Sequence, residues 1–100
     1  MPNNFLIQIY LFSFKGPPEV IINRAVVISS IIEKYPNING KVTLNKQKQI
    51  EFALENGKKK IKLTIDSVSW LTVKEGRKKP TGVLLNRRQI IPILKGLNNE

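Results

Sequence analysis

The chain has 100 residues and a net charge of +10, because 17 Lys and Arg residues stand against 7 Asp and Glu. It contains no Cys and no His, which excludes disulfide scaffolds, zinc ribbons, thiol catalysis and the Ser-His-Asp triad. A chain of this length forms one hydrophobic core, and 41% apolar residues suffice to build it. We therefore expect residues 1–100 to form a single domain that binds a partner, is not an enzyme, and needs no cofactor or metal.

The first apolar segment is Phe5–Phe14, with the sequence FLIQIYLFSF. It is rich in aromatic and β-branched residues and has apolar side chains at both odd and even positions. This pattern predicts a strand that is buried on most of both faces, or one that pairs with a second chain. No basic region precedes it, and no small-residue cleavage site follows it, as a secretory signal would require. It is also shorter than the roughly 20 residues that cross a bilayer. We therefore expect no membrane span and an intracellular protein, located in the cytoplasm, the nucleoid or the nucleus.

A helix is predicted from Glu19 onward. Its apolar positions Ile21, Ala25, Ile28 and Ile32 recur at spacings of four, three and four residues. The helix should end before Pro36, since proline disfavours a helical conformation in the residue that precedes it. Residues 1–40 thus form an N-terminal strand-helix extension.

The period of the apolar pattern changes to two after residue 40. Apolar side chains occupy even positions from Val42 to Leu54, and Asn56-Gly57 then predicts a tight hairpin turn. Odd positions are apolar from Ile61 to Ile65. The strand is expected to continue to Val73, with a bulge near Asp66–Ser67 that accounts for the change of parity.

The sequence of residues 75–97 predicts a turn, a short strand and a helix. Glu75-Gly76 predicts the turn, and Gly82–Leu85 the strand. Asn86 is a favourable N-cap for a helix with an apolar stripe from Ile90 to Leu97. Pro92 falls inside that helix and predicts a kink or a later start. The fold class is therefore α+β, with an antiparallel sheet of four to five strands, helices on one face and Lys side chains on the other.

The positive charge is concentrated in the last three-fifths of the chain. Residues 41–100 hold 14 bases and 5 acids, a balance of +9, whereas residues 1–40 carry a balance of +1. Such a field favours a polyanionic partner, nucleic acid first and an anionic membrane second. The candidate binding bases occupy three segments: Lys46 and Lys48; Lys58, Lys59, Lys60 and Lys62; and Arg77, Lys78 and Lys79. We expect these segments to converge on one edge of the sheet as a track for a phosphate backbone.

Trp70 is the single tryptophan, and it lies on the same predicted strand as part of the lysine run. If it is exposed it provides a platform on which bases stack, and if it is buried it is a core side chain. Catalysis has little support. A divalent cation could bind between adjacent strands at Glu51, Glu55 and Asp66. The simpler interpretation is that these carboxylates form cross-strand ion pairs with Lys60 or Lys62.

The second half of the chain combines several short features in a fixed order. These are Lys48, the Gly57–Lys60 hairpin, the Lys62–Trp70 strand, the Gly76–Pro80 loop, the Gly82–Asn86 strand and the Gln89–Leu97 helix. Over residues 42–97 this order resembles the single-stranded-DNA-binding domain of the transcriptional coactivator positive cofactor four. The resemblance implies a C2 homodimer whose curved sheets hold two antiparallel single strands of DNA by phosphate contacts and aromatic stacking. Lys48, Lys58 and Lys60 match basic positions of that family.

The expected function is non-catalytic, sequence-nonspecific binding of single-stranded DNA by a Lys-lined sheet face, in transcription, replication or strand protection. A homodimer is expected also because Phe5–Phe14 and Ile90–Leu97 offer more apolar surface than one small core hides. Three alternatives remain open at this point. They are a duplex-DNA or RNA binder, an assembly subunit that uses residues 1–40 as its interface and whose basic charge is incidental, and a metal-dependent nuclease.

Overall fold

The computed structural model describes residues 4–66 and 70–99. The helices are α1 (Phe5–Phe12), α2 (Glu19–Ile32) and α3 (Arg87–Asn98), and a 3-10 turn (Ser13–Lys15) follows α1. The strands are β1 (Asn39–Leu44), β2 (Ile50–Asn56), β3 (Lys59–Ile65), β4 (Trp70–Glu75) and β5 (Thr81–Leu84).

The five strands form one antiparallel sheet in chain order, so each strand pairs with the next along the chain. One face of the sheet is apolar and buried, with inward side chains such as Phe52, Leu63 and Leu71. All three helices pack against this side of the sheet. The alternate residues of each strand form the opposite face, which none of the described helices covers and which we call the open face. The predicted α+β class and antiparallel sheet are therefore confirmed.

The prediction of a strand at Phe5–Phe14 is wrong, because this segment forms α1 and the 3-10 turn. Its buried residues Phe5, Ile9 and Phe12 have helical spacings of four and three. The ring of Phe5 packs edge-on against Phe52, with 5.3 Å between ring centroids. A segment that is apolar at nearly every position fits a buried strand and a helix equally well, so its local pattern does not distinguish the two.

The helix predicted from Glu19 is confirmed as α2. Ile21, Ala25, Ile28 and Ile32 are all buried, and the helix ends at Ile32, ahead of Pro36. A hairpin follows β2 as predicted, but its two turn residues are Gly57 and Lys58, one position later than expected, because Asn56 ends β2 and pairs with Lys59. Gly57 has a positive φ of 63°, which glycine adopts without strain.

The continuous strand predicted from Ile61 to Val73 is instead two strands that pair with each other. β3 ends at Ile65 and β4 begins at Trp70, and the Asp66 N–H donates to the Trp70 carbonyl at 3.1 Å. The change of parity therefore reflects a chain reversal rather than a bulge. Ser67, half of the predicted bulge, lies outside the described residues.

The C-terminal helix has the predicted cap. The Asn86 side-chain oxygen accepts a hydrogen bond from the Gln89 N–H at 3.0 Å. α3 begins at Arg87 with Pro92 inside it, so of the two alternatives predicted from Pro92, a kink or a later start, the later start does not occur. Ile90, Leu94 and Leu97 are buried against the sheet within one chain. The Ile90–Leu97 stripe therefore does not offer the free apolar surface that was expected of it.

Candidate nucleic-acid interface

A row of lysines crosses the open face of the sheet. Strand pairing places Lys41, Ala53, Lys62 and Lys74 side by side on four successive strands. Since neighbouring strands lie about 4.8 Å apart, the row is roughly 14 Å wide. We call Lys41, Lys62 and Lys74 the lysine row. All three side chains are exposed, and Ala53 leaves a low point between Lys41 and Lys62.

More basic residues lie beside the lysine row, at the end of the sheet formed by the β2–β3 hairpin and the β4–β5 loop. Lys60 is on the open face one row closer to this end, opposite Glu55. Lys58 and Arg77 project from the two connections. Together with Lys62 and Lys74 of the lysine row, these residues line a groove of about 760 Å³ along the open face, whose lining residues include Ala53, Glu55, Lys58, Lys60, Lys62, Lys74 and Arg77.

One acidic residue lies against the lysine row. The Glu51 Oε2 atom is 3.4 Å from the Lys62 Nζ atom and accepts a hydrogen bond from the Thr64 hydroxyl at 3.4 Å. The predicted cross-strand ion pair with Lys62 is thus confirmed. Within residues 4–66 and 70–99, neither Lys41 nor Lys74 forms an ion pair, so most of the row's charge is not neutralised.

Trp70 lies on the open face and is 51% exposed, which answers the question that the sequence left open. It is opposite Leu84 on β5, and its Cε3 atom lies 3.8 Å from the position that a Cβ atom on Gly82 would occupy. Trp70 and Lys74 are four residues apart on β4, about 13 Å along the strand. The indole therefore lies on the same face as the lysine row, towards the opposite end of β4.

The predicted convergence of three basic segments is wrong for Lys46 and Lys48. In an antiparallel meander successive turns alternate between the two ends of the sheet, and β2 separates the β1–β2 turn from the β2–β3 hairpin. Seven residues of strand span roughly 20 Å. Lys48 has φ of +64°, and its ammonium donates to the Lys15 carbonyl at 2.7 Å, where it binds the end of the 3-10 turn.

The other two segments do meet, but their bases line two different clefts, and Lys58 and Lys60 line both. Lys59 alternates in phase with the inward residues of β3, such as Ile61, and so does not belong to the open face. Together with Lys78 it lines a cleft of about 440 Å³ between the hairpin and the Pro92–Leu97 part of α3. The Lys78 ammonium lies 3.9 Å from a Glu75 carboxylate oxygen. Lys79 is exposed in the same loop. The open face therefore receives Lys60, Lys62 and Trp70, with Lys58 and Arg77 at its rim.

Two members of the lysine row, Lys41 and Lys74, were missed by the sequence interpretation. The signal that could have found Lys41 is its parity, because it alternates with the inward residue Val42. Lys74 likewise alternates with Val73, but its parity becomes readable only when β4 is recognised as a separate strand.

Among residues 4–66 and 70–99, no group of three or more Asp and Glu side chains is placed so that it could hold a metal ion. Asp66 accepts hydrogen bonds from the Gln49 amide at 3.3 Å and from the Thr72 hydroxyl. Glu51 and Glu55 are four residues apart on β2, roughly 13 Å along the strand.

Comparison with known proteins gives no relative: no family model, no curated protein and no solved structure matches this chain. Among the described helices, none is long and apolar enough to cross a membrane.

Proposed function

We propose that the open face of the sheet binds single-stranded DNA without sequence preference and without catalysis. The observation that carries this proposal is the exposed Trp70 side chain on the same sheet face as the lysine row. A positively charged surface combined with an aromatic side chain on which bases stack is typical of proteins that bind single strands.

The lysine row supplies the contacts to the phosphates. An ammonium is a compact charge on a flexible stem, and it can follow a backbone whose phosphates vary in position. Lys41 and Lys74 have no carboxylate partner among the described residues, so each can release a counterion from the nucleic acid on binding. Binding should therefore weaken steeply as the salt concentration rises.

Trp70 favours a single strand over a duplex. An exposed indole can stack only on a base whose flat face is accessible, and in a duplex the base faces are covered by neighbouring base pairs. A stacked base contributes roughly 1–3 kcal/mol and requires no particular sequence, because every base has a flat aromatic face. The lysine contacts to phosphate likewise carry no sequence information.

The test is a fluorescence titration of Trp70 with an oligothymidine and with a mixed-sequence duplex of equal length, at about 0.05 and 0.2 M salt. We expect Trp70 quenching and tighter binding with the single strand. A Trp70→Leu variant, followed through a labelled oligothymidine, should lose roughly 10-fold in affinity, the equivalent of one stacked base.

The other outcomes point to other functions. Equal affinity for both polymers without a change in Trp70 fluorescence would leave a basic surface that binds any polyanion. Tighter binding of an oligouridine than of the oligothymidine would assign the face to RNA. No binding at the lower salt concentration would refute the proposal and favour a protein partner.

A further inference from the structure

The most apolar exposed surface of the described chain lies on α1 and the 3-10 turn. Leu6, Ile7, Tyr10, Leu11 and Phe14 are each between 46% and 71% exposed, and we call these five side chains the outer face of α1. The side chains of Phe5, Ile9 and Phe12 are buried on the other side of the helix. A helix that is apolar on nearly every side is normally buried on most of them, yet the described residues leave about half or more of each of these five side chains exposed.

The size of this surface reaches the lower end of the range for specific protein interfaces. Half to two-thirds of five large apolar side chains amounts to roughly 600 Å², at the upper limit for the largest apolar patch of a typical monomer. A standard interface buries about 800 Å² on each partner. The rings of Tyr10 and Phe14 already pack edge-to-face, with 5.3 Å between their centroids. Binding would therefore cost little additional ordering of these two side chains.

Charge decides what kind of partner fits. Residues 4–14 contain no Lys, Arg, Asp or Glu, whereas the chain as a whole carries +10. Helices that lie on membranes have Lys and Arg along their polar side, and α1 has none. The lysine row, which an anionic lipid surface would attract, is on the opposite side of the sheet from the helices. If α1 contacted a membrane, the lysine row would therefore face away from the anionic lipid headgroups and could not contribute to binding.

We propose that the outer face of α1 pairs with the same face of a second copy of this chain in a symmetric dimer. Two chains of charge +10 repel each other, and an uncharged apolar surface is where they can meet at the lowest electrostatic cost. A twofold contact uses one patch twice, so an apolar patch that is complementary to itself suffices. Since α1 lies in the helix layer, such pairing leaves the open face of both copies uncovered. The proposal does not depend on what the open face binds.

The test is the mass of the full chain by sedimentation equilibrium, over about 1–200 µM protein. We expect a dimer of twice the 11.4 kDa chain mass, and we expect it to persist at about 0.5 M salt because the contact is apolar. Ile7→Glu should weaken the dimer by about 100-fold or more, since the twofold axis places two uncompensated carboxylates in the contact. Gln8→Glu is the matched control and should remain dimeric, because it adds the same charge on α1 outside the outer face.

Far-UV circular dichroism reports whether Ile7→Glu folds, and Tyr10→Ser provides a milder change of the same face if it does not. A wild-type chain that stays monomeric to the highest concentration would overturn the proposal, as would an Ile7→Glu dimer as tight as wild type. Monomeric wild type that binds neutral lipid vesicles through Ile7 would assign the surface to a membrane instead. A short oligothymidine is also titrated into monomeric Ile7→Glu. Because this variant keeps the open face, its affinity for the oligothymidine tests the nucleic-acid proposal independently of the dimer proposal.

Discussion

Lys62 on β3 lies directly opposite Lys74 on β4, and both side chains are exposed on the open face. Like charges in directly opposite positions destabilise a sheet by a fraction of a kcal/mol. Glu51 offsets part of this repulsion through its contact with Lys62, while Lys74 has no acidic partner in the described ranges. A phosphate placed between the two ammonium groups would convert this repulsion into attraction, so the pair is better suited to binding an anion than to stabilising the sheet.

This pair gives the first prediction. Replacing both residues, Lys62→Gln with Lys74→Gln, should lower the affinity for single-stranded DNA by about 10-fold at low salt. The slope of log affinity against log salt should fall by about 1.4, since each lost phosphate contact on a single strand contributes about 0.7. Fluorescence anisotropy of a labelled oligothymidine at several salt concentrations measures both quantities.

The matched control is Lys34→Gln with Lys95→Gln, which removes the same charge from exposed positions outside the strands. This control should keep nearly the wild-type slope. If the two double variants lost affinity equally, the net charge of the protein and not the lysine row would account for binding.

The second prediction has the opposite sign. Glu51→Gln removes the carboxylate that contacts Lys62 and should tighten binding of single-stranded DNA by about threefold at low salt, with a smaller gain at high salt. The loss of a partly exposed ion pair should reduce the free energy of unfolding by less than about 1 kcal/mol. Glu33→Gln, at an exposed position just after α2, is the control and should leave the affinity unchanged. Weaker binding by Glu51→Gln would mean that Glu51 positions Lys62 for its contact.

The third prediction concerns the stability of α3. Asn86→Ala removes the side-chain oxygen that accepts from the Gln89 N–H, and it should lower the free energy of unfolding by about 1 kcal/mol. Asn86→Ser should retain most of that stability, because a Ser hydroxyl oxygen also caps a helix. Urea denaturation followed by circular dichroism provides the comparison. Equal stability of the Ala and Ser variants would show that the cap contributes nothing.

Local sequence determined those elements whose signals occur within a few residues. The helical spacing from Ile21 to Ile32 defines α2, and Asn86 marks the start of α3. Alternation identifies the inward residues of β2 and β3, and thereby assigns Lys60 and Lys62 to the open face. These features were predictable because backbone geometry sets the period of a helix or strand without reference to distant residues.

The tertiary structure decided what depends on distant contacts. Phe5–Phe12 is apolar at nearly every position and forms a helix, where it can pack Phe5 on Phe52 while satisfying its own backbone hydrogen bonds. The reversal between Ile65 and Trp70 defines β4 and brings Lys74 opposite Lys62. The alternation of turns between the ends of the sheet separates Lys46 and Lys48 from the lysine row. Composition alone determined that the protein is basic. Strand pairing decided which basic side chains share one face of the sheet, because a shift of one residue in register moves every side chain of a strand to the other face.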